Sequence, residues 1–216
     1  MSKSFAVSGQ HYLFDVQAFA HTVLHMGGGE CSYALRDRTT SQTFEDVSTG
    51  NSELGVIVQT TATASALNGA LEARGLVFTP LAESTPMIAL PASHPLSSAK
   101  TLTLDQLADW PYLYFEQEPG VPAEFAEEAL SHVERSRAIA CTDRASLSEL
   151  ATALNGYTVT SGILVGITDG GSLATIPLET DERLTLGYIT KKDAQLSEAG
   201  QCFVSYLEKS LKLYAR

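Results

Sequence analysis

Leu54-Gly55-Val56-Ile57-Val58 is an unbroken apolar run, and its surroundings decide the fold. A run without polar alternation belongs to a strand buried on both faces, as in parallel sheets covered by helices. Upstream, Phe5-Ala6-Val7 predicts a first strand that ends at Ser8-Gly9-Gln10. A helix follows, with Leu13, Val16, Ala20, Val23 and Leu24 at steps of three and four, and Gly27-Gly28-Gly29 stops it. Residues 32–36 predict a second strand, and a short helix around residues 40–48 carries Phe44 and Val47 inward. This βαβαβ order predicts an α/β fold with a parallel sheet under helices.

The pattern repeats downstream. Residues 87–90, 112–115 and 137–141 predict strands, with a short helix or loop over 102–108. Pro122 opens a predicted helix running to Val133, with Phe125, Ala129 and Val133 on one side. Ser146 and Glu149 form a predicted capping box for a helix that Asn155-Gly156 ends. Residues 158–165 and 173–178 are β-like around a turn at Asp169-Gly170-Gly171, 184–189 form a strand, and Ser197 starts a last helix that buries Phe203, Val204, Leu207 and Leu211. Two α/β lobes therefore follow, residues 1–84 plus 188–216 and residues 85–187, with crossings near 81–89 and 183–189. Ligands of open α/β sheets bind beyond the carboxyl ends of the strands, so the cleft between the lobes is the expected site.

Composition narrows the function classes. The 216 residues carry 14 basic and 25 acidic side chains, a net charge of −11, which repels phosphate backbones and argues against nucleic-acid binding by this chain itself. No apolar run is long enough to span a bilayer, and the N-terminus shows no signal-peptide pattern, so a cytoplasmic location is expected. Cys31, Cys141 and Cys202 are widely spaced and form neither a disulfide framework nor a zinc motif.

Catalytic and cofactor motifs are missing. There is no phosphate-binding glycine loop, no metalloprotease pair and no GxSxG nucleophile elbow. His21 and His25 sit four apart without a third ligand, so they read as a polar helix face, while His94 and His132 read as structural or surface residues. His11, just beyond the first strand, is the histidine best placed for function. Glu127 and Glu128 read as a solvated face. The expectation is a non-enzyme without metal or cofactor. The turns Ser8-Gly9-Gln10, Gln59-Thr60-Thr61, Thr142-Asp143 and Thr160-Ser161-Gly162 are richer in meaning, because hydroxyls, amides and helix N-termini at one end of successive strands suit a small, anionic ligand. Ordinary helix capping explains the same residue types.

Four stretches also carry a family likeness. Residues 47–57, Val-Ser-Thr-Gly-Asn-Ser-Glu-Leu-Gly-Val-Ile, hold a helix-ending glycine and then a buried strand, with Glu53 where Asp is usual. Met87-Ile88-Ala89-Leu90-Pro91 precedes His94-Pro95-Leu96, and Asp105-Gln106…Trp110-Pro111 follows as the DLxxxP-like segment, ahead of Gly156 to Gly162. The chain thereby resembles, from Ser4 to about Leu211, the effector-binding domain of LysR-type transcriptional regulators. The resemblance implies a type-2 periplasmic-binding-protein-like fold of two Rossmann-like lobes, a small-molecule effector between them, and side-by-side homodimers. It implies a pocket of Ser8, Gly9, Gln10, Gln59 and Thr60 on one lobe and Phe115, Glu116, Thr142, Thr160 and Ser161 on the other. The family's N-terminal winged helix-turn-helix has no counterpart in the 216 residues, so a fragment of a regulator or a free-standing sensor is expected, with DNA bound only through a separate domain. The alternative is a transporter's solute-binding protein of the same fold.

Overall fold

The computed structural model describes residues 3–27, 31–163 and 173–214. In chain order these form β1 (Lys3–Gly9), α1 (Phe14–His25), β2 (Cys31–Asp37), α2 (Thr40–Thr49), β3 (Leu54–Thr60), α3 (Ala64–Glu72), β4 (Leu76–Ser84) and β5 (Met87–Pro91). There follow β6 (Tyr112–Phe115), β7 (Ala138–Cys141), α4 (Arg144–Leu154), β8 (Thr158–Thr160), β9 (Leu173–Pro177), β10 (Leu184–Lys191) and α5 (Glu198–Tyr214). Five strands make one sheet in the order β2-β1-β3-β10-β4; β8-β5-β9 and β6-β7 make two smaller sheets. The chain leaves the five-stranded sheet after Ser84 and returns to it at Leu184, at the two predicted crossings.

Every residue of β3 is buried, as its apolar run requires. It pairs parallel with β1 and antiparallel with the returning strand β10, so the sheet is mixed. Phe44 and Val47 of α2 are fully buried, and Gly50 ends that helix at φ 83°, a left-handed conformation that glycine adopts without side-chain strain. Helix α5 buries Phe203, Leu207 and Leu211 completely, each side chain contributing about 1.5–3 kcal/mol. Phe5, Phe19 and Phe203 join β1, α1 and α5 with ring centroids 6.0–6.5 Å apart. The same apolar cluster continues to Ile88, Leu90 and Val159, so one core underlies the five-stranded and the three-stranded sheet.

Several local expectations change. Helix α1 buries Phe14, Ala18 and Thr22 at four-residue steps, while Leu24 is 76% exposed. Thr22 can go inside because its hydroxyl donates to the Ala18 carbonyl, 2.8 Å. Residues 122–133 are not a helix beyond a 3₁₀ turn at Ala123–Phe125. Ala126 turns to ψ 142° and Leu130 takes φ 59°, because the next residues are held by bonds to other parts of the chain. Helix α4 is capped by Asp143, whose carboxylate accepts from the Ser146 amide at 2.8 Å, and not by Ser146. Helix α3 and strand β4, absent from the periodicity reading, fill residues 64–84. Gly28 and Gly29, the strand end 164–165 and the turn 169–171 lie outside the described residues. No described helix is long and apolar enough to cross a membrane.

Candidate functional site

A cleft of about 600 Å³ opens where the large sheet faces the two small ones. Its near wall comes from the ends of β1 and β2, through His11, Tyr12, Leu13 and Asp37. Its far wall comes from Phe115 at the end of β6, Thr158–Thr160 of β8, and the first turns of α4. The site therefore lies beyond the carboxyl ends of strands, where open α/β sheets bind ligands.

Buried polar groups join the two walls. His11 donates its backbone N–H to Glu127 Oε2, and its Nδ1 lies 2.9 Å from Glu127 Oε1. The Tyr12 hydroxyl donates to the Glu127 carbonyl at 3.0 Å, and the His11 ring stacks on Phe115 at 4.1 Å. Burial would lower the His11 pKa, but the Glu127 hydrogen bond and charge outweigh it and hold the imidazole above its ordinary value. Glu127 and Glu128 are only 3% and 4% exposed, which corrects the expectation of a solvated face. Glu128 accepts from the Phe115 amide at 2.7 Å through Oε1, and its Oε2 is buried without a partner. Burial, with Glu127 beside it, pushes the Glu128 carboxyl up to about 8.

Arg144 opens α4. It donates to the Tyr12 carbonyl at 3.0 Å and to both Asp37 oxygens at 3.2 and 2.9 Å, a second bridge across the cleft. A smaller cleft of about 330 Å³ lies beside the first and shares His11 and Asp37. At its edge Glu118 accepts from the Thr39 and Ser41 hydroxyls at 2.6 and 2.7 Å, at the N-terminus of α2. Those hydrogen bonds outweigh partial burial and hold Glu118 below the usual carboxylate range. Among the described residues no metal-binding cluster of three ligands occurs.

The sequence-derived residues fall into three places. Phe115 and Thr160 line the larger cleft, and Glu116 and Thr142 the smaller. Ser8, Gly9, Gln10, Gln59, Thr60 and Ser161 line neither. The Ser8 hydroxyl donates to Asp46 at 2.7 Å and meets Ser52 at 2.8 Å; Gln10 donates to Thr40 and accepts from the Val58 amide. A Cβ on Gly9 would stand 2.5 Å from Asp15 Oδ2, so the glycine makes room for that buried carboxyl. Gln59 donates to Asn68, and Thr60 and Thr63 exchange hydroxyl–amide bonds. The Ser161 carbonyl accepts from Ser84. Pattern reading missed Tyr12, Asp37, Glu127, Glu128 and Arg144. Arg144 carried a readable signal: a cation in the first turn opposes the helix dipole. Glu127 and Glu128 carried none, because a helical apolar spacing surrounds them.

Two α/β units meeting at such a cleft are the architecture of type-2 periplasmic binding proteins. Residues 30–212 match the model of the LysR substrate binding domain, and the chain belongs to that family, a ligand-sensing module of LysR-type transcriptional regulators. No curated protein matches its sequence significantly. Among solved structures, the reduced OxyR regulatory domain from Pseudomonas aeruginosa is similar at TM-score 0.70 and 11% identity, over 97% of this chain and 96% of that one. HinK, a LysR family transcriptional regulator from Pseudomonas aeruginosa, matches at TM-score 0.66 and 15% identity, over 98% of this chain and 72% of that one. The effector binding domain of QuiR in complex with shikimate matches at 0.64 and 10%, over 100% of both chains. Identities this low speak for the fold alone.

Proposed function

We propose that the domain senses a small molecule held in the 600 Å³ cleft and is not an enzyme. One observation carries this reading: the cleft is lined from both halves, and the pairs His11–Glu127 and Arg144–Asp37 bridge it, so occupancy is coupled to how the halves close. We assign the halves as residues 1–84 plus 188–216 and residues 85–187. A ligand acts by binding one state of closure more tightly than the other. Homodimers, a cytoplasmic setting and a separate winged helix-turn-helix that carries DNA binding complete the reading.

The test is a thermal-shift screen with a diverse metabolite library. A ligand present at a hundred times its Kd adds about 2.7 kcal/mol, a shift of several degrees. The Ala145→Trp variant, which fills the cleft from an exposed position on α4, is expected to lose the shift while folding normally. No stabilising compound, or a full shift retained by Ala145→Trp, overturns the assignment.

A further inference from the structure

Among the described residues, five carboxylates (Asp37, Glu127, Glu128, Asp143, Glu149) and two basic residues (His11, Arg144) line the larger cleft. Most are committed. Asp37 is paired with Arg144, Glu127 with His11, and Asp143 caps α4. The two helix N-termini that suit an anion are both occupied from within the chain, α4 by Asp143 and α2 by Glu118. An anionic ligand would have to displace one of these carboxylates and then face the rest.

Glu128 stands apart. It is 4% exposed and lines the cleft, and its Oε2 has no hydrogen-bond partner. A buried acceptor left unpaired is costly, so a donor arriving here is favoured. Its charged and titratable neighbours are Glu127, Tyr12, Tyr112, Cys141 and Arg135. Arg135 does not satisfy it: one Arg135 terminal nitrogen is bound to the Leu130 and Val133 carbonyls, and the guanidinium lies over the Tyr112 ring at 4.4 Å. The same cleft has apolar lining from Phe115, Leu147, Val159, Ile163 and Leu173.

We propose that the ligand of this cleft is a small organic cation, a primary amine on an apolar body, with Glu128 as its anchor. The inference rests on the cleft being the effector site. The binding step balances simply. The Glu128 carboxylic acid gives its proton to solvent, and the resulting carboxylate accepts from the ammonium group, so binding at neutral pH releases up to one proton. The carboxyl's raised pKa, about 8, agrees with this exchange.

The experiment is calorimetric titration of the protein with three ligands of like shape: 2-phenylethylamine, 2-phenylethanol and phenylacetate. Two buffers of different ionisation enthalpy at pH 7 read the proton count. The amine is expected to bind at least about tenfold more tightly than either analogue, with proton release. Glu128→Gln keeps the acceptor for the Phe115 amide and is expected to bring amine and alcohol within about twofold of each other. Glu72→Gln, on the exposed face of α3 and outside both clefts, is expected to leave the amine preference intact. If Glu128→Gln does not fold, the ranking on the unaltered protein decides. Phenylacetate binding as tightly as the amine overturns the cation assignment while leaving the cleft as effector site. An amine preference surviving in folded Glu128→Gln overturns the anchor. If none of the three binds, the cation assignment falls, and the metabolite screen decides separately whether the cleft binds effectors at all.

Discussion

Single residues in this domain are placed by what they can bond. Ser8 is a site residue by sequence pattern, yet its hydroxyl completes a buried pair with Asp46 and Ser52. Ser8→Ala is expected to cost about 1–3 kcal/mol, read by urea unfolding. Asp15 is a sharper case. It is buried, and neither oxygen has a hydrogen-bond partner. Burial pushes its carboxyl up to about 8, the Arg144 charge opposing and Asp37 adding to the rise. Between pH 4 and 8 the folded protein therefore holds a proton that the unfolded chain releases, and stability falls as pH rises through that window. Asp15→Asn removes this cost. It is expected to gain on the unaltered protein by about 1.4 kcal/mol per pH unit at most across the window, measured by unfolding at pH 5 and 8.5.

At the scale of elements, bonds between distant segments override local periodicity. The residues after Pro122 have helical spacing, but His11, Tyr12 and the Phe115 amide capture Glu127 and Glu128, and the segment unwinds to reach them. The N-terminus of α2 shows the same principle. Thr39 and Ser41 hold Glu118 from the loop after β6, and the Thr40 hydroxyl donates to the Phe125 carbonyl at 2.7 Å. Glu118→Ala is expected to lower stability by about 1 kcal/mol, since the carboxylate is partly exposed. Its pKa lies below the ordinary carboxylate value, so the contribution is present above that value and fades as pH falls through the lowered one. The variant and the unaltered protein are expected to converge in acid unfolding experiments and differ at pH 7. Elements with strong internal patterns, such as β3 and α5, were legible beforehand because burial of their apolar faces is their main constraint. Helix α3 and edge strand β4 were not, since only Leu67 and Leu71 of α3 are buried and β4 alternates irregularly.

For the whole molecule, we expect closure of the cleft to depend on pH through His11. Its ring is 5% exposed and bonded to Glu127, with Asp37 and Arg144 the other charges facing it. Because the folded pKa lies above 6.5, the charged pair is complete below that value and is lost as pH rises through the raised one. Small-angle scattering is expected to give a larger radius of gyration at pH 8.5 than at pH 6, and His11→Gln is expected to abolish the difference. Hydropathy and turn signals determined the α/β class and the expectation of a cleft at the strand ends, because these follow from chain-local burial and backbone preference. The family match over residues 30–212 agrees with the α/β class. Tertiary structure alone decided which side chains face the cleft. His11 meets Glu127 across 116 positions of sequence and Arg144 meets Asp37 across 107, and no periodic signal survives such separations. Whether a polar residue there is spent on the fold or left open to a ligand depends on desolvation and geometry that arise only when the two halves come together.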